Sequence, residues 1–173
     1  MRIVAAYSFN GGREVFEARF PTELRKIKEA IASVGSRVAP ESLNKALRKE
    51  FKAQHWQKQQ VACEYPTGYY TSSYKPSVSL EGAFREIEFV MNRVGVEVYL
   101  ERHVPGMVYD VCAQMTIFHN RGLIDAGVMI VPVEDFANQM SVSLSCFEQV
   151  VWDLEQRAVS NIDIPVLILG IAA

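Results

Sequence analysis

The sequence has few cysteines, no excess of positive charge and no long apolar run, and each shortage excludes a class of protein. Its three cysteines, Cys63, Cys112 and Cys146, form no CxxC pair, so neither a zinc site nor a disulfide framework is predicted, and we interpret them as reduced thiols of a cytoplasmic protein. The net charge of −2 argues against a protein that coats nucleic acid without sequence specificity, but an enzyme can concentrate its cations locally. No apolar run reaches the roughly 18–20 residues that span a bilayer, and the N-terminus has no signal-peptide pattern, so no membrane contact is expected.

What is present fits one globular domain covering residues 1–173. Of the 173 residues, 49% are apolar, which is enough to bury a core. The pattern divides this domain into an N-terminal hairpin with helices over 1–60, a loop over 61–80 and an α/β core over 84–173.

The N-terminal third predicts one strand and two helices. Residues 3–8 are predicted as a strand, followed by a turn and a returning hairpin strand at 14–20. Apolar residues at helical spacing predict helices over 22–34 and 41–54.

Two exposed segments follow. The basic run of residues 45–58 is interpreted as a solvated helix face rather than a DNA contact; it contains Lys45, Arg48, Lys49, Lys52 and Lys58. Residues 61–80 are rich in turn formers and tyrosines, which predicts an exposed loop. Its tyrosines either touch a partner or pack against one another within the loop.

From residue 87 onward the pattern alternates between strands and helices. Strands are predicted at 87–91, 94–100, 123–131 and 165–172, and helices at 106–119, 132–140 and around 147–154. The near-continuous apolar runs at 123–131 and 165–172 are typical of strands covered on both faces. An α/β fold is therefore predicted.

Two glutamates in this half form a candidate metal site. If residues 87–91 and 94–100 form a hairpin about Asn92-Arg93, Glu88 lies opposite Glu97, and directly opposed Cβ atoms are about 4.5–5.5 Å apart. Like charges so close are most easily kept if a cation lies between them. Two carboxylates and the Val98 carbonyl, with waters, suit Mg²⁺. The alternative is that both are ordinary glutamates on the outer face of a strand.

At these residues the chain resembles the BglII and BstYI group of type II restriction endonucleases. The resemblance extends over most of the chain as dispersed segments in a fixed order. These segments are Met1-Arg2-Ile3-Val4 with Tyr7-Ser8, Leu43-Asn44-Lys45-Ala46, Trp56-Gln57-Lys58, Phe89-Val90, Arg93-Val94, Val96-Glu97-Val98, Tyr109-Asp110, Ile124-Asp125-Ala126-Gly127-Val128, Ile130-Val131-Pro132, Met140-Ser141, Ser145, Glu148 and Val166-Leu167-Ile168-Leu169-Gly170-Ile171-Ala172.

The resemblance implies the PD-(D/E)xK nuclease fold, a mixed β-sheet flanked by helices, in a homodimer that cuts double-stranded DNA with Mg²⁺. The group's catalytic positions are aspartate, glutamate and glutamine, and they correspond here to Glu88, Glu97 and Tyr99. Glu88 keeps the charge with one more methylene, and Tyr99 is expected to orient the attacking water or the phosphate. Because both substitutions fall on catalytic positions, a DNA-binding protein that no longer cuts is an alternative. An interaction module without a nucleic-acid role is another.

The resemblance also implies DNA-recognition residues and a partner enzyme. Arg102 falls at a position that the group uses near bases, and arginine suits a bidentate contact with guanine. The serines Ser141, Ser143 and Ser145 match a loop that reaches the major groove, although Ser141 is equally suited to cap the following helix. A methyltransferase of the same system is a possible partner.

Overall fold

A computed structural model describes residues 1–35, 40–64, 68, 70–74, 82–100, 104–140, 145–156 and 163–173. The strands are β1 (Arg2–Phe9), β2 (Gln57–Ala62), β3 (Phe84–Met91), β4 (Val94–Val98), β5 (Ala126–Pro132) and β6 (Val166–Ala172). The helices are α1 (Gly12–Arg19), α2 (Pro21–Ser33), α3 (Pro40–Ala53), α4 (Val104–Tyr109), α5 (Thr116–Asn120), α6 (Glu134–Met140) and α7 (Phe147–Gln156). A π-helical segment, Asp110–Met115, joins α4 to α5.

The six strands form one mixed sheet in the order β1-β6-β5-β4-β3-β2. The central strands β4, β5 and β6 are parallel, and the outer strands pair antiparallel with their neighbours. Strand β5 is buried along its whole length, as expected for a strand covered on both faces.

Each face of the sheet carries its own hydrophobic core. On one face, Phe16 of α1, Ile27 of α2 and Leu47 of α3 pack with β-strand residues such as Val96. On the other face, α4, the π-helical segment, α5 and α7 contribute a second set of buried residues that includes Met107, Val111, Met115, Phe118 and Val150. The predicted single α/β domain is confirmed.

The predicted hairpin at the N-terminus was wrong, because residues 12–19 form helix α1. Phe16 and Phe20 lie one turn apart with ring centroids separated by 6.0 Å, so their spacing reflects a helix face rather than a strand. Gly12 allows the helix to begin against the sheet, because a Cβ atom at this position would lie 2.2 Å from the Val166 carbonyl oxygen.

The segment that follows α3 also differs from the prediction. Strand β2 was not predicted, and it takes the first two residues of the predicted loop 61–80. In the part of that loop that the structure describes, the rings of Tyr70 and Tyr74 pack edge to face with their centroids 5.1 Å apart. This contact is expected for a loop that packs on its own side chains.

The hairpin between β3 and β4 has the predicted register. Met91 pairs with Val94, Val90 with Gly95 and Phe89 with Val96. Asn92 and Arg93 both have positive φ, at 47° and 68°, which is the backbone that a two-residue hairpin turn of type I′ requires.

No helix in the described ranges is both long and apolar enough to cross a membrane.

Candidate active site

The two predicted acidic residues line one cavity at the open end of the β3–β4 hairpin. The cavity has a volume of about 420 Å³, and its walls are Arg48, Lys58, Phe84, Arg85, Glu86, Glu88, Glu97 and Gln114. Glu97 is 7% exposed, and the Glu88 side chain is 20% exposed. The structure therefore brings Glu88 and Glu97 to the walls of one cavity.

A β-bulge in β3 shapes this cavity. Between the pairs Gln57–Val90 and Gln59–Ile87, β3 advances three residues while β2 advances two. As a result, Ile87 and Phe89 pack in opposite cores, although residues two apart share a face in a regular strand. Bulges redirect side chains and end regular pairing, and here the bulge contains Glu88.

The Val98 carbonyl points away from strand β5. The amide of Tyr99 donates to the Ile130 carbonyl of β5 at 2.9 Å. Because the C=O and N–H of a trans peptide point in opposite directions, the Val98 carbonyl is directed away from β5, toward β3. Val98, Glu88 and Glu97 thus lie at one end of the hairpin.

Basic side chains neutralise two of the cavity's carboxylates. Arg48 of α3 places Nη1 3.1 Å from Oε1 of Glu88, and its Nε donates to Asn44 at 3.3 Å. Lys58 Nζ lies 2.7 Å from Glu86 Oε1. Hydrogen bonds from Lys58 and from Gln60 hold the pKa of Glu86 below its usual range. The cavity therefore presents cations beside its acids.

Sequence reasoning missed these cations. The basic run was interpreted as a solvated helix face, and its members on α3 are indeed exposed. Arg48 and Lys58 nevertheless line the cavity, because α3 contacts β3 through Phe51 and Phe89 and the chain then returns as β2. Only the pairing of β2 with β3 brings Lys58 to this position.

The structure corrects the role expected of Tyr99. Its side chain, one residue beyond the end of β4, is 1% exposed and packs in the core with Val111. Its hydroxyl donates to Oδ2 of buried Asp110 at 2.7 Å. Because the helical layer covers its side chain, Tyr99 lines the core and not the cavity, and it is not placed to orient a water or a phosphate.

Gln114 of the π-helical segment reaches the cavity instead. Its Nε2 donates to the Glu86 carbonyl at 2.6 Å and to Oε1 of Glu97 at 3.1 Å. Sequence reasoning did not single it out. The available signal was that Asp110 and Gln114 place two polar residues at helical spacing in a helix that otherwise buries apolar residues.

Of the four predicted DNA-recognition residues, the structure describes only Ser145. Arg102, Ser141 and Ser143 lie outside the residues that the structure describes. Ser145 is described, and it is 2% exposed. Because its hydroxyl is buried, the expected contact between Ser145 and a base is not supported. Within the described residues that hydroxyl has no hydrogen-bond partner.

The oxygen donors present suit a magnesium ion. Across the described ranges, no cluster of three or more histidine, cysteine, aspartate or glutamate side chains forms a metal site. Mg²⁺, however, is commonly held by one or two carboxylates together with waters and substrate phosphates. Glu88 and Glu97 are two carboxylates in the walls of one cavity.

A family model described as restriction endonuclease BglII/BglIII matches residues 4–171, nearly the whole chain. No curated protein matches the chain.

Proposed function

Because the chain belongs to the BglII/BglIII family of restriction endonucleases, we propose that it hydrolyses phosphodiester bonds of double-stranded DNA at a short palindromic site with Mg²⁺. The observation that carries this proposal is that Glu88 and Glu97, from neighbouring strands, line one polar cavity together with three cations. Acidic side chains suit a metal, and arginine and lysine suit a phosphate.

In this proposal Glu88, Glu97 and the Val98 carbonyl hold the metal ion. A Mg²⁺ ion held there would supply a water of lowered pKa and would offset the charge that develops on the phosphate. The burial of Glu97 keeps its carboxylate out of bulk water, which strengthens its interaction with a cation. Arg48, Lys58 and Arg85 bind phosphate oxygens and position the scissile strand.

A palindromic target implies a partner copy. Two copies of the chain related by a two-fold axis would present one cavity to each strand of the duplex. We therefore propose that the protein works as a homodimer in the cytoplasm, with a methyltransferase of the same specificity protecting the host DNA.

The experiment is incubation of unmethylated plasmid DNA with Mg²⁺, followed by sequencing of the fragment ends. Wild-type protein is expected to give discrete ends at one sequence. Glu97→Gln keeps the side-chain size but removes the charge and is expected to lose cleavage. Glu29→Gln, on the exposed face of α2, is the matched control and is expected to cut normally. Equal cleavage by all three proteins would contradict the assignment of the site.

One observation favours a second candidate function, a DNA-binding protein that no longer cuts. The guanidinium of Arg48 lies 3.1 Å from the Glu88 carboxylate, where it competes with a metal ion for that oxygen. This candidate binds duplex DNA in the same way but yields no fragments at any Mg²⁺ concentration, so a binding assay beside the cleavage assay separates the two.

A further inference from the structure

Gln114 connects β3 and β4 at the point where their pairing changes. The ladder between the two strands extends from Met91–Val94 to Phe89–Val96, and the bulge in β3 follows directly. Beyond it, the Gln114 amide donates to the Glu86 carbonyl of β3 at 2.6 Å and to the Glu97 carboxylate of β4 at 3.1 Å. A side-chain amide has two N–H donors, so the two hydrogen bonds use both.

The π-helical segment places Gln114 at this position. Asp110 accepts from Tyr99, and Gln114 donates to Glu97. The two contacts join residue 110 to residue 99 and residue 114 to residue 97. The π-helical segment therefore lies antiparallel to the chain at 97–99 and is held to it at two points. Segments of π-helix occur frequently at functional sites.

From this geometry we infer that Gln114 is a positioning residue, which fixes the Glu97 carboxylate in the orientation that a Mg²⁺ ion requires. The inference rests on the proposed function. Mg²⁺ demands near-ideal octahedral geometry, whereas Ca²⁺ accepts flexible coordination. A hydrogen bond that holds a ligating carboxylate in place therefore matters more for Mg²⁺ than for Ca²⁺. Loss of such a bond typically weakens metal binding by about 10- to 100-fold.

The test is calorimetric titration of the intact protein with MgCl₂ and, separately, with CaCl₂. Gln114→Leu keeps the approximate size and removes both donors. It is expected to weaken Mg²⁺ binding by about 10- to 100-fold and Ca²⁺ binding by clearly less. A structural defect that only loosened the fold would weaken both ions equally. Gln139→Leu is the control, because Gln139 also donates to a carboxylate, that of Asp135 at 3.4 Å, but on the exposed face of α6.

The outcomes separate this inference from the proposed function. If the wild type binds neither ion, the proposed metal site is wrong and the role of Gln114 falls with it. Two results would overturn only the positioning role, provided that the wild type binds Mg²⁺. Either Gln114→Leu binds Mg²⁺ with wild-type affinity, or it loses affinity for Mg²⁺ and Ca²⁺ by the same factor. If circular dichroism shows that Gln114→Leu is unfolded, Gln114→Asn decides by the same Mg²⁺-to-Ca²⁺ comparison, because its amide is one methylene too short to reach both partners.

Discussion

In the protein core, the hydroxyl of Tyr99 donates a hydrogen bond to Oδ2 of Asp110, with 2.7 Å between the two oxygens. Glu97, two residues earlier in the chain, lines a polar cavity. Both side chains are buried, but Tyr99 packs in the core whereas Glu97 borders the cavity. This difference sets different expectations for substitutions at the two positions.

Tyr99→Phe should lower stability without changing the candidate site. The substitution removes a hydroxyl that donates to a buried carboxylate, and loss of one such hydrogen bond costs about 1–3 kcal/mol. Urea denaturation should show this as a lower midpoint, while Mg²⁺ affinity and DNA cleavage at 25 °C stay at wild-type values. A variant with normal stability and no cleavage would place Tyr99 in the chemistry after all.

Arg48→Gln should tighten Mg²⁺ binding to the free protein. The guanidinium is paired with Glu88, so a metal ion must displace it. A partly exposed ion pair is worth roughly 0.2–1 kcal/mol, which corresponds to a change of up to about fivefold in the dissociation constant. Calorimetry measures the effect, with Arg25→Gln as control because Arg25 pairs with Glu29 on exposed α2. Weaker Mg²⁺ binding in Arg48→Gln would show that Arg48 supports the metal site.

Arg85→Gln should reduce the salt dependence of DNA binding. Arg85 lines the candidate cavity and also a second one of about 460 Å³, and its guanidinium lies 5.8 Å from the ring centroid of Tyr109. Each phosphate contact contributes about 0.9 to the slope of log affinity against log salt concentration. Fluorescence anisotropy with a duplex at several salt concentrations should show a slope smaller by about one. An unchanged slope would mean that Arg85 does not contact a phosphate.

Asp125→Asn should destabilise the protein near neutral pH but have little effect in acid. Asp125 accepts from Arg93 Nε at 2.9 Å and from Arg19 Nη2 at 3.0 Å. The hydrogen bond from Arg93 is the main reason that the pKa of Asp125 lies below its ordinary value. A carboxyl whose pKa is lowered on folding stabilises the folded state above its unfolded pKa of about 3.9, and this contribution is lost as the pH falls further.

Thermal unfolding at several pH values tests this expectation. The difference in melting temperature between wild type and Asp125→Asn should be largest above about pH 5 and should shrink as the pH falls below about 4. Asp153→Asn on α7 is the control. A difference that stays constant down to pH 2.5 would show that the charge of Asp125 is not responsible.

The sequence predicted the hairpin that carries Glu88 and Glu97 because the relevant signals are local. Asn92-Arg93 forms the tight turn, and the alternation of Val94, Val96 and Val98 assigns the opposite face to Glu97. The register follows from turn length alone.

The rest of the site depends on contacts between distant segments. Strand β2 is polar and lies at the edge of the sheet, so it lacks the apolar alternation that identifies a strand. Its pairing with β3 brings Lys58 to the cavity. The burial of Tyr99 and the reach of Gln114 depend on how a helix packs across β4, which no local pattern encodes. For the short segment 14–20, the apolar spacing did not distinguish a strand from a helix.

The length of the π-helical segment between Tyr109 and Thr116 determines whether Asp110 and Gln114 can make their contacts at the same time. Successive residues of an α-helix are rotated by about 100°, so deleting one residue from this turn would shift one half of the helix out of phase with the other. Asp110 could then stay with Tyr99, or Gln114 with Glu97, but both contacts could not persist. Substitutions at the other positions of this turn can be tolerated while its length is kept, whereas a change in length would break one of the two contacts.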